Sequence, residues 1–249
     1  MKQLLLSALL LTSASYDPAN EVDVELVLAV DISQSMDTEE QEVQRAGYVA
    51  ALTSQAFIDA VHVGPIGRVA ITYMEWGGVD EHFIVADWTV IQDKASASHF
   101  AQQIANAPLR QVQRTSIASA MQKAAFLIKS NRYEGLRSVV DISGDGPNNQ
   151  GGSVTEMRDR MVSGGLIING LPLMMKSNKN TWQAMLNLDH YYEDCVIGGP
   201  GSFAIPVRSQ DGFAEAIQKK LVMELAGNQQ TPEIHHTADR EPIRCNLFD

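Results

Sequence analysis

The sequence predicts an α/β fold: a doubly wound, mostly parallel sheet of six strands with helices on both faces and one antiparallel edge strand. Segments with strand patterns alternate with segments of helical periodicity along most of the chain, which is typical of parallel sheets. Hydrophobic residues make up 45% of the 249 positions, enough for a large core. Two apolar runs separated by Gly77-Gly78 predict a hairpin and hence the antiparallel edge.

Each element is predicted from its own pattern. Strands are expected at residues 24–30, 68–76, 82–91, 138–143, 166–171 and 202–207. Helices are expected at residues 38–61, 93–107, 117–128, 155–162, 181–188 and 213–225, where apolar side chains recur at helical spacing. Asp37, with Glu40 three residues later, has the pattern of a capping box and is expected to start the first helix.

The two ends of the chain differ from its middle. Residues 1–15 place Lys2 before an apolar run and then small residues, which is the layout of a secretory signal peptide. No apolar run approaches the roughly 20 residues that a membrane-spanning helix needs. We therefore expect a periplasmic or secreted protein without a membrane span. One main domain is predicted at residues 22–226, followed by a polar tail at 227–249.

Charge and cysteine content narrow the function further. The formal net charge is −11, so nucleic acid is a poor partner, because phosphate binding depends on clustered Lys and Arg. Cys195 and Cys245 suit the single disulfide of an exported domain. Closing a loop of this length would contribute about 4 kcal/mol in the chain-entropy model. Two free buried thiols are the alternative.

Asp31, Ser33 and Ser35 form the pattern D-x-S-x-S directly after the first predicted strand. Their oxygens are the hard ligands that Mg²⁺, Mn²⁺ or Ca²⁺ prefers. Since only one of the three is charged, a bound ion would keep enough positive charge to accept a further anionic ligand from outside the protein. An ordinary Asx turn with a helix cap is the alternative interpretation of this short pattern.

Two other segments offer oxygen ligands at the same edge of the predicted sheet. Asp145 follows the fourth strand, and Thr115 precedes the helix that begins near Ile117. In parallel sheets, ligands gather beyond the carboxyl ends of the strands. The three segments are therefore expected to meet around one divalent ion.

These motifs in this order resemble the metal-ion-dependent adhesion site (MIDAS) of von Willebrand factor type A (VWA) domains, which have a Rossmann-like fold. The resemblance covers residues 22–225. It implies that Asp31, Ser33 and Ser35 surround a divalent ion, usually Mg²⁺. It further implies that Thr115 binds directly or through water and that Asp145 lies in the outer shell. In the family, a protein partner's acidic side chain completes the coordination.

A narrower resemblance links residues 72–76, 168–172 and 194–201 to a family of exported bacterial VWA-like proteins without an assigned function. Two positions depart from the wider VWA pattern: Asp141 interrupts the fourth strand, and Gly144 stands where Thr is common. A carboxylate inside a central strand must be paired, because burying it alone costs several kcal/mol. Asp141 is therefore expected either in a structural network or as a residue that orients the metal loop.

Glu75 and Trp76 end the second predicted strand and are candidates for a partner-binding rim; a strand cap and an edge aromatic are the alternatives. The enzyme motifs G-x-S-x-G, P-loop and H-E-x-x-H are absent from the sequence. The leading hypothesis is a metal-dependent protein-binding module and not an enzyme. A structural or assembly factor that uses another face, and a metal-dependent hydrolase, remain the alternatives.

Overall fold

The computed structural model describes residues 17–175, 187–227 and 240–247. Its sheet has five strands: β1 (Glu21–Asp31), β2 (Val69–Trp76), β3 (His82–Ile91), β4 (Glu134–Gly144) and β5 (Ile167–Pro172). The order across the sheet is β3-β2-β1-β4-β5. All neighbours are parallel except β3, which runs antiparallel to β2. The predicted α/β class and antiparallel edge are thereby confirmed.

Seven helices cover the sheet within the described ranges: α1 (Thr38–Leu52), α2 (Gln55–Val61), α3 (Lys94–Asn106), α4 (Ile117–Ser130), α5 (Val154–Ser163), α6 (Leu188–Tyr191) and α7 (Phe213–Ala226). A π-helical turn, Tyr192–Val196, continues α6. The predicted capping box between Asp37 and Glu40 is present at the start of α1. Over the described residues, no helix is long and apolar enough to span a membrane.

The sheet separates two hydrophobic layers. One face packs against α1, α2, α3 and α7, and the other packs against α4, α5 and the segment from α6 to the π-helical turn. β1 is buried along almost its whole length, because it is the central strand and both of its faces are covered. Val30 on β1 pairs with Ser143 on β4, so Asp31 and Asp145 emerge at the same edge.

The prediction of a sixth strand at residues 202–207 is wrong. This segment runs beside β5 but forms only two isolated bridges with it, between Ala204 and Gly170 and between Val207 and Leu173. Pro172 lacks the N–H group that would donate to this segment between the bonds made by Gly170 N and Met174 N. The sheet therefore ends at β5.

The single helix predicted at residues 38–61 is also wrong, because the structure divides it into α1 and α2. The Ser54 side chain accepts a hydrogen bond from Phe57 N and donates to Ala51 O, so it caps the start of α2. Most of the helix predicted at residues 181–188 lies outside the described residues, as do the signal-peptide region 1–15 and much of the tail.

Candidate metal centre

The turn after β1 gathers Asp31, Ser33 and Ser35. Asp31 Oδ1 accepts a hydrogen bond from Ser33 N at 2.7 Å, which closes an Asx-type turn. The Oγ atoms of Ser33 and Ser35 are 2.9 Å apart. The D-x-S-x-S pattern therefore forms a compact group of oxygen atoms in the loop between β1 and α1.

Asp145 reaches this group from the neighbouring strand β4. Ser35 Oγ donates to Asp145 Oδ1 at 2.5 Å, although 110 positions separate the two residues. Gly144, just before Asp145, is packed closely: a Cβ there would lie 3.0 Å from both Asp31 Oδ2 and the Tyr192 hydroxyl. A side chain at position 144 would therefore require Asp31 or Tyr192 to shift by a few tenths of an ångström, and glycine avoids this.

Thr115 arrives on the loop before α4 and is 4% exposed. Hydrogen bonds hold this loop on two sides. Val112 N donates to Ile32 O at 3.1 Å, next to the first turn. Thr115 N donates to Asn149 Oδ1 at 2.9 Å, and Asn149 N donates back to Thr115 O at 2.8 Å. The structure thus brings all five predicted metal ligands to one edge of the sheet.

The electrostatics of the site are dominated by Asp31, which is fully buried. Burial, followed by the charge of Asp145, raises the pKa of Asp31 to about 8. Among the residues that the structure describes, its Oδ2 atom has no hydrogen-bond partner, although a buried carboxylate oxygen normally has one. A cation at this position would satisfy Oδ2 and offset the repulsion between the two carboxylates.

The donor set fits a hard divalent ion. Asp31, Asp145 and three hydroxyls supply oxygen only, as Mg²⁺, Mn²⁺ and Ca²⁺ prefer. Within the described ranges there is no cluster of three or more His, Cys, Asp or Glu residues that suits a metal. The proposed site is not such a cluster, because it has two carboxylates and its other oxygen ligands are Ser and Thr hydroxyls.

A cavity of about 280 Å³ opens beside this group of oxygens. It is lined by Ser33, Gln34, Ser35, Gln113, Arg114, Thr115 and Asn149. Arg114 is the one charged residue in this lining, so the cavity carries positive charge although the chain is strongly acidic.

Glu75 and Trp76 do not form an exposed rim. Glu75 is 1% exposed, because α1 and the loop after α3 cover it, and Trp76 is fully buried on the other face of the sheet, in the hydrophobic cluster that includes α4. Arg45 on α1 forms an ion pair with Glu75 and also donates to Ala107 O. Glu75 therefore anchors neighbouring backbone, and the expectation that the pair faces a partner is corrected on grounds of burial.

Asp141 lies inside β4, facing α7. Lys220 Nζ is 2.6 Å from Asp141 Oδ1 and also pairs with Glu224, and all three side chains are at most 1% exposed. Asn169 Nδ2 donates to Glu224 Oε1 at 3.2 Å. This is the structural network that was one of the two interpretations of Asp141.

Two tyrosines that no sequence pattern indicated lie beneath the Asp145 turn. Asn148 N donates to the Tyr191 hydroxyl at 3.2 Å, and the Tyr192 hydroxyl lies 3.5 Å from Gly144 O. Tyr191 ends α6 and Tyr192 begins the π-helical turn. These helical segments are too short to give a periodic pattern in the sequence. The expected disulfide between Cys195 and Cys245 is present and joins this region to the tail.

Comparison with solved structures identifies the fold. Proximal thread matrix protein 1 from the mussel byssus superposes with a TM-score of 0.59 at 13% identity, covering 83% of this chain and 48% of that protein. The pilus adhesin SpaC from Lactobacillus rhamnosus GG gives 0.59 at 11% identity, covering 83% and 31%. A von Willebrand factor type A protein from Catenulispora acidiphila gives 0.54 at 12% identity, covering 82% and 43%.

At these identities the likeness shows the fold alone, and the chain spans less than half the length of each of these three proteins. Another structure of the mussel protein is described as having a zinc-occupied MIDAS motif. No curated protein matches the chain. A family model described as a protein of unknown function, DUF1194, matches residues 21–229. The chain therefore has a VWA-type fold and belongs to the DUF1194 family.

Proposed function

We propose that this protein is a metal-dependent protein-binding module. A divalent cation, expected to be Mg²⁺, would be held by Asp31, Ser33, Ser35 and Thr115. Asp145 would lie next to these ligands, because it accepts a hydrogen bond from Ser35. The cation would supply a Lewis-acidic position that accepts an acidic side chain of a partner protein. The observation that carries the proposal is the fully buried Asp31, whose Oδ2 lacks a hydrogen-bond partner among the described residues, beside the linked group of Ser33, Ser35 and Asp145.

Charge supports an acidic partner. The formal charges of Asp31 and Asp145 sum to −2, and the hydroxyls add no charge. A divalent cation would therefore make the net formal charge of the site zero. An ion held in this way attracts an external anion more strongly than one surrounded by three or four carboxylates. The cavity lining contains no carboxylate that would repel the partner.

A binding role is favoured over catalysis. The residues around the cavity are amides, hydroxyls and Arg114, and none of them is a His, Cys or carboxylate placed to act as a general base. We also propose export to the periplasm or the exterior, based on the signal-like residues 1–15. The mass of the mature protein, purified from its native host, would reveal whether this segment is removed.

The decisive test compares Asp31→Ala with Asp211→Ala, which removes an exposed carboxylate at the start of α7. Magnesium binding is measured by calorimetry, and partner capture is measured from native extract with and without a chelator. We expect Asp31→Ala to abolish both signals and to retain the circular dichroism spectrum, while Asp211→Ala behaves as wild type. Equal capture by wild type and Asp31→Ala would refute the proposal.

Other results of the same experiment point to the alternatives. Capture that survives the chelator but is lost when residues 194–201 are altered would indicate an assembly factor that uses another face. Turnover on a substrate panel with added Mg²⁺ or Mn²⁺, lost in Asp31→Ala, would indicate a hydrolase.

A further inference from the structure

Arg114 has an unusual backbone for a long side chain. Its φ is 72°, and it is the one non-glycine residue with a positive φ in the part of the chain that the structure describes. Residues other than Gly, Asn and Asp rarely adopt this conformation, because it brings Cβ too close to the following carbonyl oxygen. Such strained residues concentrate at functional sites.

The surrounding hydrogen bonds maintain this conformation. On one side of Arg114, Gln111 Nε2 donates to Met36 O and Val112 N donates to Ile32 O. On the other side, Thr115 is joined to Asn149, and Ser116 N donates to Gly77 O at 2.7 Å. Arg114 is therefore held in a preformed position next to a proposed metal ligand.

The charge of Arg114 is available for a ligand. Arg110, four residues earlier, lies 3.7 Å from Glu75 and above the Phe83 ring. Arg114 has no such ion pair within the described residues, is exposed, and is the one charged residue in the cavity lining. A guanidinium presents a planar pair of N–H donors that matches a carboxylate.

We infer that Arg114 selects a partner segment with two neighbouring carboxylates, one of which binds the metal while the other binds the guanidinium. This inference rests on the proposed function, because the first carboxylate requires the ion. The cavity of about 280 Å³ is large enough for both groups, since one water occupies about 30 Å³ in the liquid. The partner is thus a protein segment with adjacent Asp or Glu residues.

The test uses three capped peptides, Gly-Asp-Gly, Gly-Asp-Asp-Gly and Gly-phosphoserine-Gly, titrated into Mg²⁺-loaded protein and followed by NMR. For wild type we expect the two-aspartate peptide to bind about tenfold more tightly than the one-aspartate peptide. Twofold of this is statistical, and about fivefold comes from the added ion pair. In Arg114→Gln the ratio should fall to about twofold, and Arg114→Lys should lie between.

Two further variants guard against a folding artefact. Arg114→Gly removes the side chain but suits a positive φ, so it should lose the selectivity while its thermal stability is at least that of wild type. Arg132→Gln removes an exposed arginine beside Tyr133, outside the cavity lining, and should keep the tenfold ratio.

Three outcomes would overturn the inference about Arg114. The first is an unchanged ratio in Arg114→Gln and Arg114→Gly. The second is an equal loss of affinity for both aspartate peptides, since the guanidinium would then serve the metal-bound carboxylate itself. The third is tighter binding of the phosphoserine peptide than of the two-aspartate peptide. If no peptide binds in a Mg²⁺-dependent manner, the proposed function fails as well.

Discussion

Asp31 and Asp141 are both buried aspartates on central parallel strands, but their surroundings differ. Each has a second carboxylate nearby, and burial raises the pKa of each, to about 8 for Asp31 and about 7 for Asp141. Asp141 has Lys220 at 2.6 Å, whereas Asp31 has a backbone N–H on one oxygen and, within the described part of the chain, no hydrogen-bond partner on the other. The protein thus supplies its own cation in the middle of the sheet, and at the sheet edge it offers a position for an external one.

Removing Lys220, the internal cation beside Asp141, is expected to have the largest effect on stability. Lys220→Met leaves Asp141 and Glu224 buried without their cation, which is expected to destabilise the protein by about 3–5 kcal/mol. Urea unfolding measures the change, with Lys219→Met as the control, because Lys219 is the exposed neighbour on the same helix. A loss below about 1 kcal/mol would show that the network does not depend on this charge.

The pH dependence of stability should reveal the raised pKa of Asp141. Burial first, and then the charge of Glu224, raise the pKa of Asp141 against the opposing effect of Lys220. Because the folded pKa lies above the unfolded value of 3.8, the stability that protonated Asp141 provides is complete below pH 4 and is lost as the pH rises to about 7. The loss is expected to reach up to about 4 kcal/mol.

Asp141→Asn lacks this titration. Its free energy of unfolding, minus that of wild type, should therefore increase between pH 4 and 7 and level off above pH 8. Urea unfolding at several pH values checks this, and the shared contribution of Asp31 cancels in the difference. A difference that is flat across this range would contradict the raised pKa of Asp141.

Magnesium should test the other aspartate, Asp31, which is expected to take an external cation. At 100 times its Kd, Mg²⁺ is expected to stabilise wild type by about 2.7 kcal/mol, because it binds only the folded protein. Asp31→Asn should be no less stable than wild type without metal, since burial already disfavours the ionised form of Asp31, and it should gain nothing from Mg²⁺. Thermal unfolding with MgCl₂ measures this, and a magnesium shift in Asp31→Asn equal to that in wild type would contradict it.

The smallest expected effect concerns the support beneath the Asp145 turn. Tyr191→Phe removes the hydroxyl that accepts from Asn148 N, which should cost about 1 kcal/mol of stability and weaken Mg²⁺ binding slightly. Tyr133→Phe is the matched control, because its hydroxyl contacts only Arg132 among the described residues, at an exposed position. Calorimetry and urea unfolding of the two variants provide the measurement.

Much of the fold and of the site was accessible from the sequence. Apolar runs indicated the five strands that form, and the capping-box pattern of Asp37 and Glu40 indicated the start of the first helix. The site was predicted because Asp31 and Asp145 follow strands, whose carboxyl ends meet at one edge in a parallel sheet, and because Thr115 precedes a helix that was expected to start at the same edge. The predictions of a sixth strand and of a continuous first helix were wrong because Pro172 and the capping residue Ser54 outweigh the apolar periodicity locally.

The sequence by itself determined the alternation of strands and helices and the short pattern that contains Asp31, Ser33 and Ser35, because both are local properties of the chain. Only the tertiary structure decided that Lys220 reaches Asp141, that Arg45 covers Glu75 and that Asn149 fixes the Thr115 loop. Each of these contacts joins residues at least 30 positions apart. The pairing of such distant charges and amides depends on how the helices pack on the sheet, which no local pattern encodes.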